Sequence, residues 1–235
     1  MRKMVYASDD PRATALANLQ DSQNGDPFKV LIGTILSQRT RDENTTRASE
    51  NLFSHYTTPQ QLAVADLPTV KKLIRPSGYY NVKANSIIRV SRQLLDDFGG
   101  EVPHTMDELL QLHSVGRKTA NCVLVYAFNT PAIPVDTHVH RISNRLGLAH
   151  TKTPEETEEK LVKTVPKRYW LDVNDLFVRF GQTKCKPIGP KCDSCTLTRS
   201  CLYYRDYVKP FRRVHRRRGA PRKGAISGRG KEKGR

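Results

Sequence analysis

Lys118, Asp136 and four cysteines at 185, 192, 195 and 201 are the residues here whose types and spacing could do chemistry. The thiols stand as Cys-x6-Cys-x2-Cys-x5-Cys, and Pro187, Gly189 and Pro190 let the first loop fold back in short turns. Four thiolates can close a tetrahedral zinc site or ligate the corner irons of a [4Fe-4S] cube. Zinc ribbons more often carry two Cys-x2-Cys pairs, and only Cys192 and Cys195 form one here. Both metals stay open on this chemistry, with disulfides or plain thiols as the remaining reading. Cys122, in an apolar stretch, reads as a core residue.

Lys118 follows the short turn Leu112-His113-Ser114-Val115-Gly116-Arg117 and falls in the first turn of the next helix. The macrodipole disfavours a cation there, and partial burial acts the same way. A neutral lysine is a carbonyl nucleophile that forms a Schiff base, although a phosphate contact is the plainer role. Asp136 lies in Ile133-Pro134-Val135-Asp136-Thr137-His138. Pro134 holds an extended approach, so Asp136 is placed to cap a helix starting near Thr137. A capping carboxylate is held rigidly and could also stabilise positive charge as it develops nearby. His138 and His140 are two apart on that helix and point away from one another, which argues against a shared metal.

The elements that must position these groups read as helices. Asp26-Pro27 gives the preferred cap and N1 pair for one helix, and Thr153-Pro154-Glu155-Glu156 starts another with acids in its first turn. Apolar stripes at helical spacing predict further helices at 42–55, 82–98, 106–112, 117–128, 137–147 and 168–180, with short ones after Thr58-Pro59 and Leu67-Pro68. Alternating strand patterns are scarce, so the fold class expected is all-α, with about ten short helices packed on one another. The turn at 112–116 then joins two helices, and the free N–H groups of such a hairpin can hold a phosphate.

Charge is uneven. Of the net +17, the 27 residues from Lys209 carry +11, with 12 Lys or Arg, one acid and five glycines. That tail is expected to be disordered and to attract polyanions. No apolar run approaches the ~20 residues needed to span a bilayer, so no membrane role is expected. Nothing apolar follows the basic start of the chain, and four of the five cysteines cluster. A secreted disulfide scaffold is therefore disfavoured, and a cytoplasmic location is expected.

Taken together, these residues resemble the endonuclease III family of helix-hairpin-helix DNA glycosylase/AP lyases over residues 10 to 205. Four separated pieces carry the resemblance beside the cysteine spacing: Asp26-Pro27-Phe28 through Leu36-Ser37-Gln38-Arg39-Thr40-Arg41-Asp42, Gly78 to Ala84, Val115 to Asn121, and Val135 to His138. It implies two helical lobes around a DNA groove. Residues 25–133 would form a six-helix barrel with the hairpin. Residues 1–24 and 134–208 would form a [4Fe-4S] domain, leaving 209–235 as the tail. It also implies a monomer acting on double-stranded DNA that holds damaged bases or abasic sites, in a prokaryotic, nucleoid-associated setting.

By the same resemblance, Lys118 and Asp136 are catalytic: the amine attacks C1′ of an extruded oxidised pyrimidine nucleotide, and β-elimination cuts the strand 3′ to it. Cys185, Cys192, Cys195 and Cys201 hold the cluster, and a monovalent cation sits at the hairpin. Gln38, Arg39, Tyr79, His113, Ser114, Val115, Gly116, Arg117, Thr119 and His138 are expected to meet DNA, together with Lys184, Lys186 and Lys191 of the cluster loop. Related mismatch or oxidised-purine glycosylases, a non-catalytic DNA-binding protein and a zinc-stabilised module are the competing readings.

Three positions depart from the family pattern. Ser114 stands where the family hairpin Leu-Pro-Gly-Val-Gly has glycine, so an altered turn is expected. Arg39 aligns with the glutamine of Ser-Ala-Gln-Ala-Thr-Asp, which fills the space left by the flipped base; Gln38 is one residue, or about 100° of helix, away. Tyr79 replaces an aliphatic wedge. Arg39 is the favoured gap-filler, and these changes leave the opposite-base preference open.

Overall fold

The computed structural model describes residues 14–22 and 25–210. Most of the basic tail and the first 13 residues thus lie outside the described residues, with the expectations made for them.

Eleven α-helices and no strands occur among the described residues. In chain order they are α1 (Ala15–Ser22), α2 (Pro27–Ser37), α3 (Asp42–Phe53), α4 (Pro59–Ala63), α5 (Leu67–Leu73), α6 (Tyr80–Phe98), α7 (Met106–Leu109), α8 (Arg117–Tyr126), α9 (Thr137–Leu146), α10 (Pro154–Thr164) and α11 (Trp170–Thr183). Local chemistry sets many of the starts. Asp26, Thr58, Asp66, Thr105, Asp136 and Thr153 each accept a hydrogen bond from a backbone N–H of the helix they precede, which satisfies a donor that has no partner inside the helix.

Several boundaries differ from the sequence pattern by one to three residues. Helix α6 begins two residues earlier than the apolar stripe suggests, directly after Tyr79 in the left-handed region at φ +59°. Helix α7 stops at Leu109, and the remaining residues to Leu112 turn toward the hairpin. A 3-10 turn, Lys167–Tyr169, precedes α11.

The buried apolar residues form two clusters that divide between Ala132 and Ile133. The first is built on α2, whose residues from Val30 to Leu36 are all buried, Gly33 and Thr34 among them. A helix buried on every side must sit at the centre of its lobe, and α1, α3, α6 and α8 pack around it. The second cluster joins α9 and α11 through Val139, Ile142, Phe177 and Phe180, with Leu161 of α10. Helix α1 was expected to pack with the second lobe, but Leu16 belongs to the first cluster. Thr14, just before α1, reaches the other lobe through Oγ1, 3.3 Å from Asp175 Oδ1 of α11.

Candidate active site and nucleic-acid interface

The turn from Leu112 to Gly116 closes with Val115 N donating to Leu112 O at 3.1 Å. Ser114 adopts φ +63°, so the serine takes the left-handed conformation that glycine enters more easily. Two contacts hold it there: its Oγ lies 3.0 Å from Ser86 Oγ, and its carbonyl accepts from Gln38 Nε2 at 3.1 Å. Gly116 is extended, at φ −100° and ψ 178°, and needs no glycine for its angles. A Cβ there would meet nothing within 4 Å of the protein. Its bareness therefore keeps open a path for another molecule's backbone. No side chain caps α8, so its first N–H groups remain available to an anion.

Lys118 stands half-exposed in that first turn. Asp136 caps α9, with Oδ1 accepting from His138 N at 2.9 Å and Val139 N at 2.8 Å. Both bonds use one oxygen, so Oδ2 keeps acceptor capacity. The charges of Lys118 and Asp136 both act on the fully buried Cys122 thiol, whose pKa burial pushes up. Two helix starts that are 20 residues apart in sequence thus bring an amine and a carboxylate within electrostatic reach of one buried atom.

Several of the other expected contacts are engaged within the protein. Gln38 and Thr119 are paired, Nε2 to Oγ1 at 3.3 Å, which ties the end of α2 to the hairpin. Val115 and Thr119 are buried and support the turn from within. Arg117 is no loose phosphate clamp: its guanidinium donates to Glu158 of α10 at 2.7 Å and 3.4 Å, and that carboxylate raises its pKa. The pair joins the two lobes beside Lys118, as Gln182 does where its Nε2 meets Asp42 Oδ2 at 2.9 Å.

The two histidines of the set are biased toward the neutral form. His113 is pushed below its ordinary pKa by burial and by Arg89, so its ring is neutral at pH 7. Burial likewise lowers His138, and the Arg141 charge acts in the same direction against Asp136 and Asp42. Its Nδ1 accepts from Arg141 Nη2 at 3.1 Å, which leaves the ring proton on Nε2. Bare Gly181 makes room for this pair, since a Cβ there would run into both side chains.

Arg39 and Tyr79 come together. Both are exposed, both have positive φ (52° and 59°), and the Arg39 guanidinium lies 5.9 Å from the Tyr79 ring centroid. Gly78 permits the approach, because a Cβ on it would stand 3.0 Å from Arg39 O. Beneath them is a residue that sequence reasoning passed over. Lys83 is 5 % exposed, and its Nζ donates to Leu36 O, Gln38 O, Thr40 Oγ1 and Ser77 Oγ at 2.6–2.9 Å. Desolvation pushes its pKa down to about 8. The signal was a lysine four residues before Ile87 on the buried stripe of α6, where charge is unexpected.

The cysteine loop is held from α9. Arg145 donates to Lys186 O at 2.7 Å, Pro187 O at 2.8 Å and Cys185 Sγ at 3.4 Å, while Arg141 donates to Cys185 O at 3.0 Å. Lys191 N closes the loop onto Lys184 O at 2.9 Å, and Gly189 turns it at φ +62°. No disulfide joins the four thiols, which are half-buried, with Cys185 and Cys195 against the second core. Cys195 feels both Cys185 and Cys201 electrostatically. Among the described residues no three His, Cys, Asp or Glu converge as ligands of a single metal ion. A cubane takes each cysteine at a separate iron corner, so its ligands stand further apart than those of one tetrahedral ion. The half-buried thiols and the cation donating to one sulfur fit such a group. Lys186 and Lys191 are exposed on the loop, whereas Lys184 Nζ reaches Ser194 Oγ at 3.4 Å.

A hairpin with an open helix start, followed by a capping aspartate, defines a class, and the HhH-GPD superfamily of base excision DNA repair proteins matches residues 32–167, more than half the chain. The chain is 54% identical over 180 residues to endonuclease III of Thermotoga maritima, covering 77% of this chain and 84% of that one. It also resembles two solved structures. A trapped endonuclease III–DNA covalent intermediate in an estranged-adenine complex is 39% identical, with a TM-score of 0.73 over 77% of this chain and 85% of that one. A non-covalent endonuclease III–DNA complex is 38% identical, with a TM-score of 0.74 over 80% and 86%. This chain belongs to the endonuclease III family.

Proposed function

We propose that this protein is a bifunctional DNA glycosylase/AP lyase of base excision repair, with Lys118 as nucleophile, Asp136 as its carboxylate partner and oxidised pyrimidines as substrates. The observation that carries the reading is the pair of helix starts. One is left uncapped, with a lysine in its first turn, and the other is closed by an aspartate that retains a spare oxygen. The uncapped hairpin binds a DNA phosphate and positions the duplex. The damaged nucleotide is turned out of the stack toward Lys118, at an unstacking cost that damage lowers.

Lys118 Nζ then attacks C1′ as the N-glycosidic bond breaks, and the bonding pair leaves with the base. Asp136 stabilises the positive charge that develops on the sugar. Opening of the sugar gives an imine between Nζ and C1′. Loss of a C2′ proton sends electrons toward C3′, and the 3′ phosphate leaves with the C3′–O pair. Hydrolysis of the imine releases the product and regenerates the amine. An amine and a carboxylate suffice for every step.

Cys185, Cys192, Cys195 and Cys201 would hold a [4Fe-4S] cluster in the second lobe, taken as residues 134–208, while residues 25–133 form the barrel lobe with the hairpin. When bound, the cluster supplies a structural cross-link that fixes the basic loop carrying Lys186 and Lys191. Purified protein should be brown, with broad absorbance near ~400 nm and about four irons per chain; zinc without iron would refute this assignment. The central test is borohydride trapping on duplex DNA with an abasic site or thymine glycol. A covalent adduct is expected with the wild type and none with Lys118→Ala. Persistence of the adduct in the variant would sink the role of Lys118.

A further inference from the structure

Lys83 has a role that catalysis at Lys118 does not explain. A buried ammonium usually has a carboxylate partner, because desolvating an isolated charge is costly. None of the four partners of Lys83 is a carboxylate. Two are backbone carbonyls at the end of α2, and two are hydroxyls, one from each of two loops. Thr40 Oγ1 also accepts from Gly78 N at 3.1 Å and lies 3.3 Å from Ser77 Oγ, whose hydroxyl in turn donates to Leu36 O at 2.9 Å. The lysine thus sits at the centre of a knot joining residues 36–40 to residues 77–78.

Just outside the knot stand the two strained residues, Arg39 and Tyr79. A side chain other than glycine in the left-handed region persists only where its surroundings enforce it. Here the enforcement comes from beneath. Thr40 and Gln38, the two neighbours of Arg39, are both bonded to Lys83, as is Ser77 two residues before Tyr79. Above the knot, Tyr79 is 63% exposed and stacked with the Arg39 guanidinium. An exposed aromatic ring backed by a cation suits insertion into a base stack.

We propose that Lys83 is a positioning residue that locks the 36–40 and 77–79 loops into one rigid probe, whose Arg39–Tyr79 tip occupies the space left when a nucleotide is turned out of duplex DNA. The role rests on the glycosylase/lyase reading and concerns extrusion of the nucleotide, not bond breaking. Lys83 touches neither the substrate nor Lys118. Its ammonium shares three N–H donors among the four oxygens at one point, and an apolar side chain of similar length supplies none.

The test compares trapping rates at saturating enzyme on an abasic site in duplex DNA and on the same strand single-stranded, where nothing need be extruded. Lys83→Met should lower the duplex rate at least about tenfold, as loss of positioning does, while the single-strand rate stays within about twofold. Equal losses on both substrates would make Lys83 a general structural or catalytic residue and overturn the proposal, as would an unchanged duplex rate. If Lys83→Met does not fold, Thr40→Val decides: it removes one acceptor of the knot and should reproduce the duplex-only loss at several-fold. Unchanged rates, or equal losses, in Thr40→Val would equally refute the proposal. Should the wild type trap neither substrate, the glycosylase/lyase reading itself fails, a result distinct from any loss specific to the variants.

Discussion

Helices α8 and α9 begin 20 residues apart, and their N-termini are built in opposite ways. At α8 the cap is Gly116, no side chain reaches the first N–H groups, and an added Cβ would meet only open space. At α9 the cap is Asp136, and its carboxylate takes two N–H bonds under 3.0 Å. A helix start carries about half a unit of positive charge in either case. One start leaves that charge for an external anion, and the other spends it on an internal carboxylate. The open end can grip phosphate and carry an amine beside it. The closed end instead holds a carboxylate rigidly, the group proposed to stabilise a developing cation. In the proposed function a binding site and a catalytic group thus arise from the same backbone feature, separated by the presence or absence of one side chain.

Substituting each end tests that contrast, and the largest effect belongs to Asp136. Asp136→Asn keeps a capping oxygen, so stability should change by less than about 0.5 kcal/mol. Base release should nevertheless fall about 10²–10⁴-fold in single-turnover assays. Turnover close to wild type would reduce Asp136 to a cap alone. At the other end, Gly116→Ala should be neutral or slightly stabilising, because φ −100° suits alanine. Its duplex affinity should drop about tenfold as the Cβ fills the approach path, equivalent to about 1.4 kcal/mol. Unchanged binding would show that nothing approaches that face.

Smaller effects come from groups around the two ends. Arg39 offers only donors, whereas an amide offers a donor and an acceptor and so complements adenine. Arg39→Gln should shift the relative preference toward adenine opposite the lesion by about threefold or more, read as a ratio of excision rates across opposite bases. Replacing Lys186 and Lys191 together by alanine should make the log–log salt dependence of duplex binding shallower by about two, near 0.9 per phosphate contact. An unchanged slope would leave those lysines as a solvated rim and confine anion binding to the α8 end.

Much of the site was legible because its signals are local. The Asp136 cap, the hairpin before Lys118, the cysteine spacing and most helix starts each depend on residues within a few positions of one another. The departures arise where distant segments meet. Ser114 reads as a disturbance of the turn when taken alone, yet Ser86 and Gln38 hold it in the left-handed conformation. Arg117 reads as a phosphate ligand, and Glu158, 41 residues away, takes its guanidinium. Lys83 reads as an ordinary lysine in a motif until loops 40 residues apart place four oxygens around it.

The sequence by itself determined the helical class, the candidate nucleophile and its carboxylate, and the four clustered thiols as candidate ligands, because caps, turns and ligand spacings are encoded by near neighbours. Only the tertiary structure decided which charges are free to act. Glu158 claims Arg117, burial keeps His113 and His138 toward neutrality, and Lys83 stands inside the protein beneath Arg39 and Tyr79. The physical reason is that the strength of a charge depends on its desolvation and on partners brought in from far along the chain, and neither is written at the residue itself.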